Sequence, residues 1–263
     1  MKLGIIGNGF DIAHGIKIEF NDFVESEIFQ REIGTYKKYF TSKEYDNFSS
    51  GTELWSKFED FIKHICLTKK IKHNLFMKKI GNIFHKWVSS IDYKSQLNKV
   101  DLKTNEGIRN IINCNNIISL NYTDTLNIYG FQKSQFNHKS KPKEWEVCKD
   151  SKYYYKIHAF DEKTKHGAFV IGNDSDNKTH KRNSIESWEK NQGFNIKERI
   201  LKGVLKCKIN KIVIFGFSFG TSDAEIIEWL EKIPKEIEII IYWFKDKPKT
   251  IKNKRNITFK KAN

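Results

Sequence analysis

Little in this chain could cross-link or stiffen it. Of its 263 residues, four are cysteine and three are proline. Cys66, Cys114, Cys148 and Cys207 lie far apart and form no CxxC pair. That spacing argues against a zinc site and against a disulfide framework, and reads as reduced cytosolic thiols. With so few prolines and no long Ser/Gly tract, no linker announces itself, and no internal repeat is visible. No stretch approaches the roughly 20 apolar residues of a membrane span. The first residues lack the pattern of a secretory signal, because Asn8 and Asp11 interrupt the apolar run. These absences predict a soluble cytoplasmic protein, and the length is that of one large α/β domain.

Two further absences concern motifs. The opening MKLGIIGNGFDIAHG has Gly7 and Gly9 at the end of an apolar run, but the third glycine of a GxGxxG fingerprint would fall at position 12, which is Ile12. The acid that grips a ribose should end a second strand, whereas Glu19 and Asp22 sit in helical sequence. A conventional dinucleotide dehydrogenase is therefore disfavoured. Likewise GFSFG at 216–220 spells the GxSxG of a nucleophile elbow, yet no histidine follows His180. The order serine, acid, histidine that α/β-hydrolases require cannot be built.

What the chain does have is apolar and basic. A hydrophobic fraction of 38% with 14% aromatics suffices for a core. The net charge of +15 invites a nucleic-acid reading. The plainer account is the Lys-, Ile-, Asn- and Phe-rich usage of an AT-rich genome, with lysines spread over the whole length. The densest basic run, KNKRNITFKK at 252–261, is itself interrupted by what reads as a last edge strand.

Residues 1–6 read as a buried first strand. Helical spacing follows from Phe20 to about Phe40, with Asn21 or Asp22 able to cap it. Two apolar stripes continue it: Leu54, Phe58, Phe61, Ile62 and Ile65, then Ile80, Phe84, Trp87, Val88 and Ile91. Strands return at Ile117–Leu120, at Tyr153–His158 and Ala168–Ile171 as a hairpin or neighbouring pair, at Ile212–Phe215, and at Ile237–Phe244, with a helix near Asp223–Ile233. Continuous apolar strands alternating with helices predict a doubly wound, mostly parallel Rossmann-like sheet. The chain thus reads as a single α/β nucleotide-binding domain over 1–263, with a large helical insertion at about 24–110 above the carboxyl edge of the sheet.

Four motifs fall at carboxyl strand ends, where open α/β sheets bind ligands. In Gly7-Asn8-Gly9-Phe10-Asp11, either Asp11 caps the next helix, or the glycine N–H groups face a pyrophosphate and Asp11 a ribose hydroxyl. In NYTDTL, Asn121 is either a cap or an amide that holds water or a ribose hydroxyl. Asp124 is either a first-turn acid or a ligand contact. His158, in IHAF at 157–160, is either a structural strand-end histidine or a general base, a role that the near-neutral reference pKa of histidine suits. In GFSFGTSD, the glycines, Gly216 first, let a ligand approach, with Ser218 and Asp223 as hydrogen-bonding groups.

GNGFDIAHG, FNDF, LWSKFED, NYTDTL, the IHAF strand end, IGND and GFSFGTSD, in that order, resemble the bacteriophage abortive-infection AbiH family over nearly the whole chain. The chain departs from that pattern at His158-Ala159, where the family favours His-Gly, and at Lys17-Ile18-Glu19-Phe20. The family is in turn remotely similar to SIR2-like, DHS-type NAD-binding folds. This resemblance implies NAD as ligand or substrate and no metal. It places Gly7 and Gly9 at the phosphates, Asn121 and Asp124 at the ribose and nicotinamide side, His158 at the base position and Ser218 at a late cofactor contact. The implied function is an anti-phage effector that cleaves NAD at the nicotinamide–ribose bond, gated by a homo-oligomer, a phage trigger or a partner protein. The alternative is a non-catalytic nucleotide sensor or nucleic-acid-binding defence protein, whose stacking aromatics would be Tyr36, Tyr39 and Tyr153–Tyr155 among lysines.

Overall fold

The computed structural model describes residues 1–40, 73–92, 100–133, 152–156, 208–217, 224–243 and 256–262, with isolated positions between 61 and 71. The protein is built on a seven-stranded sheet. Its strands are β1 (Lys2–Ile6), β2 (Asn116–Ser119), β3 (Gln132–Lys133), β4 (Tyr153–Lys156), β5 (Lys211–Phe215), β6 (Glu238–Trp243) and β7 (Ile257–Lys261). The spatial order is β3-β4-β2-β1-β5-β6-β7. Every pairing among them is parallel, from Leu3 opposite Asn116 and Ile212 at the centre to Ile239 opposite Ile257 at the far edge.

Continuous apolar runs become central strands because a parallel sheet is buried on both faces. The four residues of β2 are all buried, as are the last four of β1 and of β5. Alternate side chains then serve two cores. Leu3, Ile5, Ile212, Ile214, Ile239 and Ile241 pack with α6 (Ala224–Lys232) through Ile226, Trp229, Leu230 and Ile233. Ile117, Val213, Phe215, Ile240 and Tyr242 face the other way, onto Ile108 and Ile111 of α5 (Glu106–Ile112) and Phe10 of α1 (Gly9–Ala13). The basic C-terminal run does end in an edge strand, β7, whose half-exposed pattern fits its place at the rim.

Between β1 and β2 most of the described residues are helical, and those between 20 and 91 pack mainly among themselves. The Phe20–Phe40 region is not one helix but α2 (Phe20–Glu25), α3 (Glu27–Glu32) and a 3-10 turn at Gly34–Tyr39. The break lies at Ser26, extended at φ −62° and ψ 145°, whose Oγ accepts from Phe29 N–H at 3.2 Å and so starts α3. The cap of α2 is Glu19 in a reciprocal box with Asp22, not Asn21 or Asp22 itself. In α4 (His73–Ser90) the stripe Ile80, Phe84, Trp87 is buried, joined by Ile91 just beyond its end. They meet Phe23 and Phe29 in an aromatic-rich core, and Phe61 and Ile65 of the other predicted stripe enter it too. Leu54, Phe58 and Ile62 lie outside the described residues, as does the strand predicted at Ala168–Ile171. No helix among the described residues is long and apolar enough to cross a membrane.

The strand order reverses between β1 and β5: from β1 the chain builds to β2, β4 and β3, and from β5 it builds to β6 and β7. At that reversal the loops leaving the two carboxyl ends part, which is where parallel sheets open a crevice. Here the two loops touch. A Cβ added to Gly7 would lie 2.6 Å from the Gly216 carbonyl oxygen, and one added to Gly216 2.5 Å from the Gly9 carbonyl carbon. Gly216 also has φ +63°. Gly130 has φ +76° but open space around it. Gly130→Ala should therefore cost about 1 kcal/mol for the backbone alone, and Gly216→Ala distinctly more, about 3 kcal/mol or above. Denaturant titration of the two variants measures the difference, and equal losses would mean the loop contact carries no weight.

Candidate functional site

The glycine turns at the reversal point are spent largely on each other. Gly7 N–H donates to the Phe215 carbonyl at 3.0 Å and Gly9 N–H to the Gly216 carbonyl at 2.9 Å. Two of the N–H groups expected to face a pyrophosphate are thus committed to the neighbouring turn. Asn8, between them, is helical at φ −52° and ψ −27°, with no capping bond from its side chain. The glycines at 7 and 216 answer first to backbone meeting backbone.

Asp11 lies in the first turn of α1, whose N-cap position is Asn8. Its carboxylate is fully buried and accepts from Thr123 Oγ1 at 2.6 Å and from Thr125 Oγ1 at 2.7 Å. Each threonine hydroxyl has one proton to give, so these two bonds tie the turn after β1 to the loop after β2. A charge-assisted pair of this kind, in a site where Thr123 and Thr125 are also buried, is stronger than an exposed bond of the same length. Asp11 is a clasp between two strand-end loops.

The clasped loop begins at Asn121. Its backbone N–H donates to Ser119 Oγ at 3.2 Å, and its side chain is 1% exposed. Neither the amide oxygen nor the amide nitrogen has a hydrogen-bond partner among the described residues. Asn121 is no helix cap: the 3-10 turn that follows, Thr125–Tyr129, has Asp124 as its N-cap. A buried polar group left unmet costs about 1–3 kcal/mol, so such groups are rare in folded chains and need a reason. Next to it, Tyr122 stacks edge-on against Phe84 of α4 with ring centroids 4.8 Å apart, which brings the helical layer over this strand end.

Asp124 is exposed and accepts from the Tyr154 hydroxyl of β4 at 2.9 Å, with the Asn127 side-chain oxygen 3.0 Å from that same hydroxyl. Burial, and then the Asp124 charge, hold the Tyr154 phenol well above its ordinary range, so it stays a donor. Tyr154 thereby carries the clasp outward to a third strand.

His14 and Tyr129 form a pair that sequence reasoning did not single out. His14 is fully buried, with Nδ1 2.6 Å from the Phe10 carbonyl and Nε2 2.7 Å from the Tyr129 hydroxyl. A carbonyl only accepts, so Nδ1 carries the proton, and Nε2 accepts from the phenol. Burial lowers the His14 pKa, in keeping with a neutral ring, and raises that of Tyr129. The partners are 115 residues apart, so no local pattern announces them.

His158, Ser218 and Asp223 lie outside the described residues. Gly216, at the mouth of β5, is where the late motif begins. Among the described residues no group of three or more His, Cys, Asp or Glu side chains is placed to hold a metal. Burial pushes the Cys114 thiol up to about 12, which leaves it a core side chain rather than a nucleophile. Of the aromatics considered for stacking on a nucleic acid, Tyr36 and Tyr39 pack against the helical core and Tyr154 is buried.

Two outcomes follow for stability. Asp11→Ala should lose about 2–4 kcal/mol, since it strands two buried hydroxyls, whereas Asn121→Ala should leave the melting temperature of the ligand-free protein unchanged or raised. Thermal unfolding of both variants decides, and a large loss in Asn121→Ala would mean that its amide is bonded within the fold. The second concerns pH. A lowered His14 pKa means that the unfolded chain binds the extra proton first, so stability is full above the ordinary value of 6.5 and falls as pH drops below it toward the folded value. His14→Gln should flatten that part of the profile, read by melting temperature between pH 5 and pH 8 (roughly the range over which histidine titrates).

No protein-family model matches this chain, and no curated protein matches it. The geometry of the strand ends is therefore the ground on which its function is argued.

Proposed function

We propose that this chain is a Rossmann-like, SIR2-like nucleotide-binding protein whose ligand is NAD, and that it serves as an anti-phage abortive-infection effector by hydrolysing the nicotinamide–ribose bond. The observation that carries the reading is the Asn121 amide. It is buried, and unmet among the described residues, at the carboxyl end of β2, beside the central strand β1. A polar group kept at such a cost at the ligand-binding edge of a parallel sheet is a group kept for a ligand.

The reaction class is a hydrolysis: water replaces nicotinamide at the ribose carbon, giving ADP-ribose, free nicotinamide and one proton. Its transition state is a cationic ribose, so the protein contributes position, electrostatics and exclusion of bulk water. Asn121 holds the ligand in register, and the Tyr122–Phe84 contact supports a helical cover over the same edge. His158 is the proposed base, on the strength of sequence alone. With Gly7 and Gly9 N–H committed to Phe215 and Gly216, the pyrophosphate passes in this reading to basic side chains, of which the chain has many. An effector that drains NAD must be gated, and a homo-oligomer or a phage-derived trigger would supply the gate.

The test mixes purified protein with NAD and follows free nicotinamide. Release that falls by about a hundredfold or more in both Asn121→Ala and His158→Ala supports the enzyme. Release unchanged in both variants removes the assignment of these residues. Binding by calorimetry with no release leaves a nucleotide sensor, and absence of both binding and release ends the NAD reading.

A further inference from the structure

Among the described residues, Asn121 is the only side chain whose donor and acceptor atoms are both buried and both without a partner. It is also held in place from both sides. Its own backbone N–H is fixed on Ser119 Oγ at 3.2 Å, and two residues on, Thr123 is fixed on the buried Asp11 carboxylate at 2.6 Å. The amide is thus presented rather than free to turn the loop and satisfy itself, which is the arrangement that favours a matching ligand group.

The chemistry of the missing partner follows from the inventory of groups. A primary amide shows an N–H donor and a carbonyl acceptor side by side in one plane. A phosphate offers acceptors alone, so it would meet Nδ2 and leave Oδ1 facing a like partial charge. A single ribose hydroxyl has one proton on a rotor and meets one atom well. A planar group with an adjacent donor and acceptor meets both at once, as Asn does with the N6/N7 edge of adenine. Within a dinucleotide two groups have that form: the carboxamide of nicotinamide and the adenine edge.

Resting on the NAD reading above, we infer that Asn121 pairs edge-on with a planar donor–acceptor group of the ligand, and not with its phosphates or riboses. Recognition at the end of β2 is then a reading of base or carboxamide identity. Loss of the donor from that group leaves the Asn121 oxygen buried and unmet, the circumstance in which sites reject an analogue most strongly.

Calorimetry on the full chain at fixed salt tests this with three ligands: NAD, its nicotinate analogue (carboxamide replaced by carboxylate) and its hypoxanthine analogue (adenine amine replaced by a carbonyl). At least one analogue should bind the unmodified protein about tenfold or more weakly than NAD, and in Asn121→Ala the same analogue and NAD should bind alike. Weakening of the nicotinate analogue identifies the carboxamide; weakening of the hypoxanthine analogue identifies the adenine. Net charge cannot produce the first result, because a protein of charge +15 attracts the more negative analogue. Asn121→Leu, which keeps the approximate size and loses both the amide donor and the acceptor, should abolish the discrimination as well and covers the case in which the alanine variant does not fold. Equal binding of all three ligands to the unmodified protein, with a uniform loss in Asn121→Ala, would overturn the inference and leave NAD as the ligand. No binding of NAD itself would overturn the NAD reading and this inference together.

Discussion

The structure turns on the contact between two glycine turns. β1 and β5 are neighbours at the centre of a parallel sheet, and the chain leaves them in opposite directions. Their loops meet so closely that neither Gly7 nor Gly216 has room for a Cβ, and the Gly9 N–H reaches the Gly216 carbonyl. Everything at the carboxyl edge is referred to this junction. It sets where α1 begins, and α1 carries both Asp11 and, at its end, His14. Glycine is required here by steric contact and, at Gly216, by a positive φ as well.

From α1 the constraint spreads along the edge by polar bonds. Asp11 takes hold of Thr123 and Thr125, Asp124 takes the Tyr154 hydroxyl, and His14 takes that of Tyr129. The segment after β1, the loop after β2 and the strand β4 are joined through side chains that are largely buried, where each bond is stronger and each missing bond is more costly than in water. Against that background the Asn121 amide stands out physically. Among the described residues its neighbours find partners, and it does not. Folding alone would favour an apolar residue there, which is why function is the better account of an asparagine.

The helical layer between β1 and β2 has a core of its own. Its core is made mainly of phenylalanine, isoleucine and one tryptophan from α2, α3 and α4, and it touches the sheet edge through Tyr122. Of the aromatics that could stack on a nucleic acid, Tyr36 and Tyr39 pack against this helical core and Tyr154 is buried in the sheet.

The sheet was legible in the amino-acid order because its cause is local. Short apolar runs such as Ile117-Ile118 and IVIF at 212–215 suit strands buried on both faces, as in a parallel α/β sheet. The stripe through Ile80, Phe84 and Trp87 was legible for the same reason, since helical period and burial coincide. The position of Asn121 at a strand tip was legible too. The tertiary structure alone decided the rest. That Gly7 and Gly216 answer to each other, that Asp11 is a clasp and not a cap, and that His14 meets Tyr129 depend on partners more than 100 residues away. Residue type constrains which bonds a side chain can make, but only the packed fold decides which partner comes within 3 Å, a hydrogen bond's usual reach. Asn121 shows the division most clearly: sequence put the amide at a carboxyl strand end, and the fold left it without a partner among the described residues.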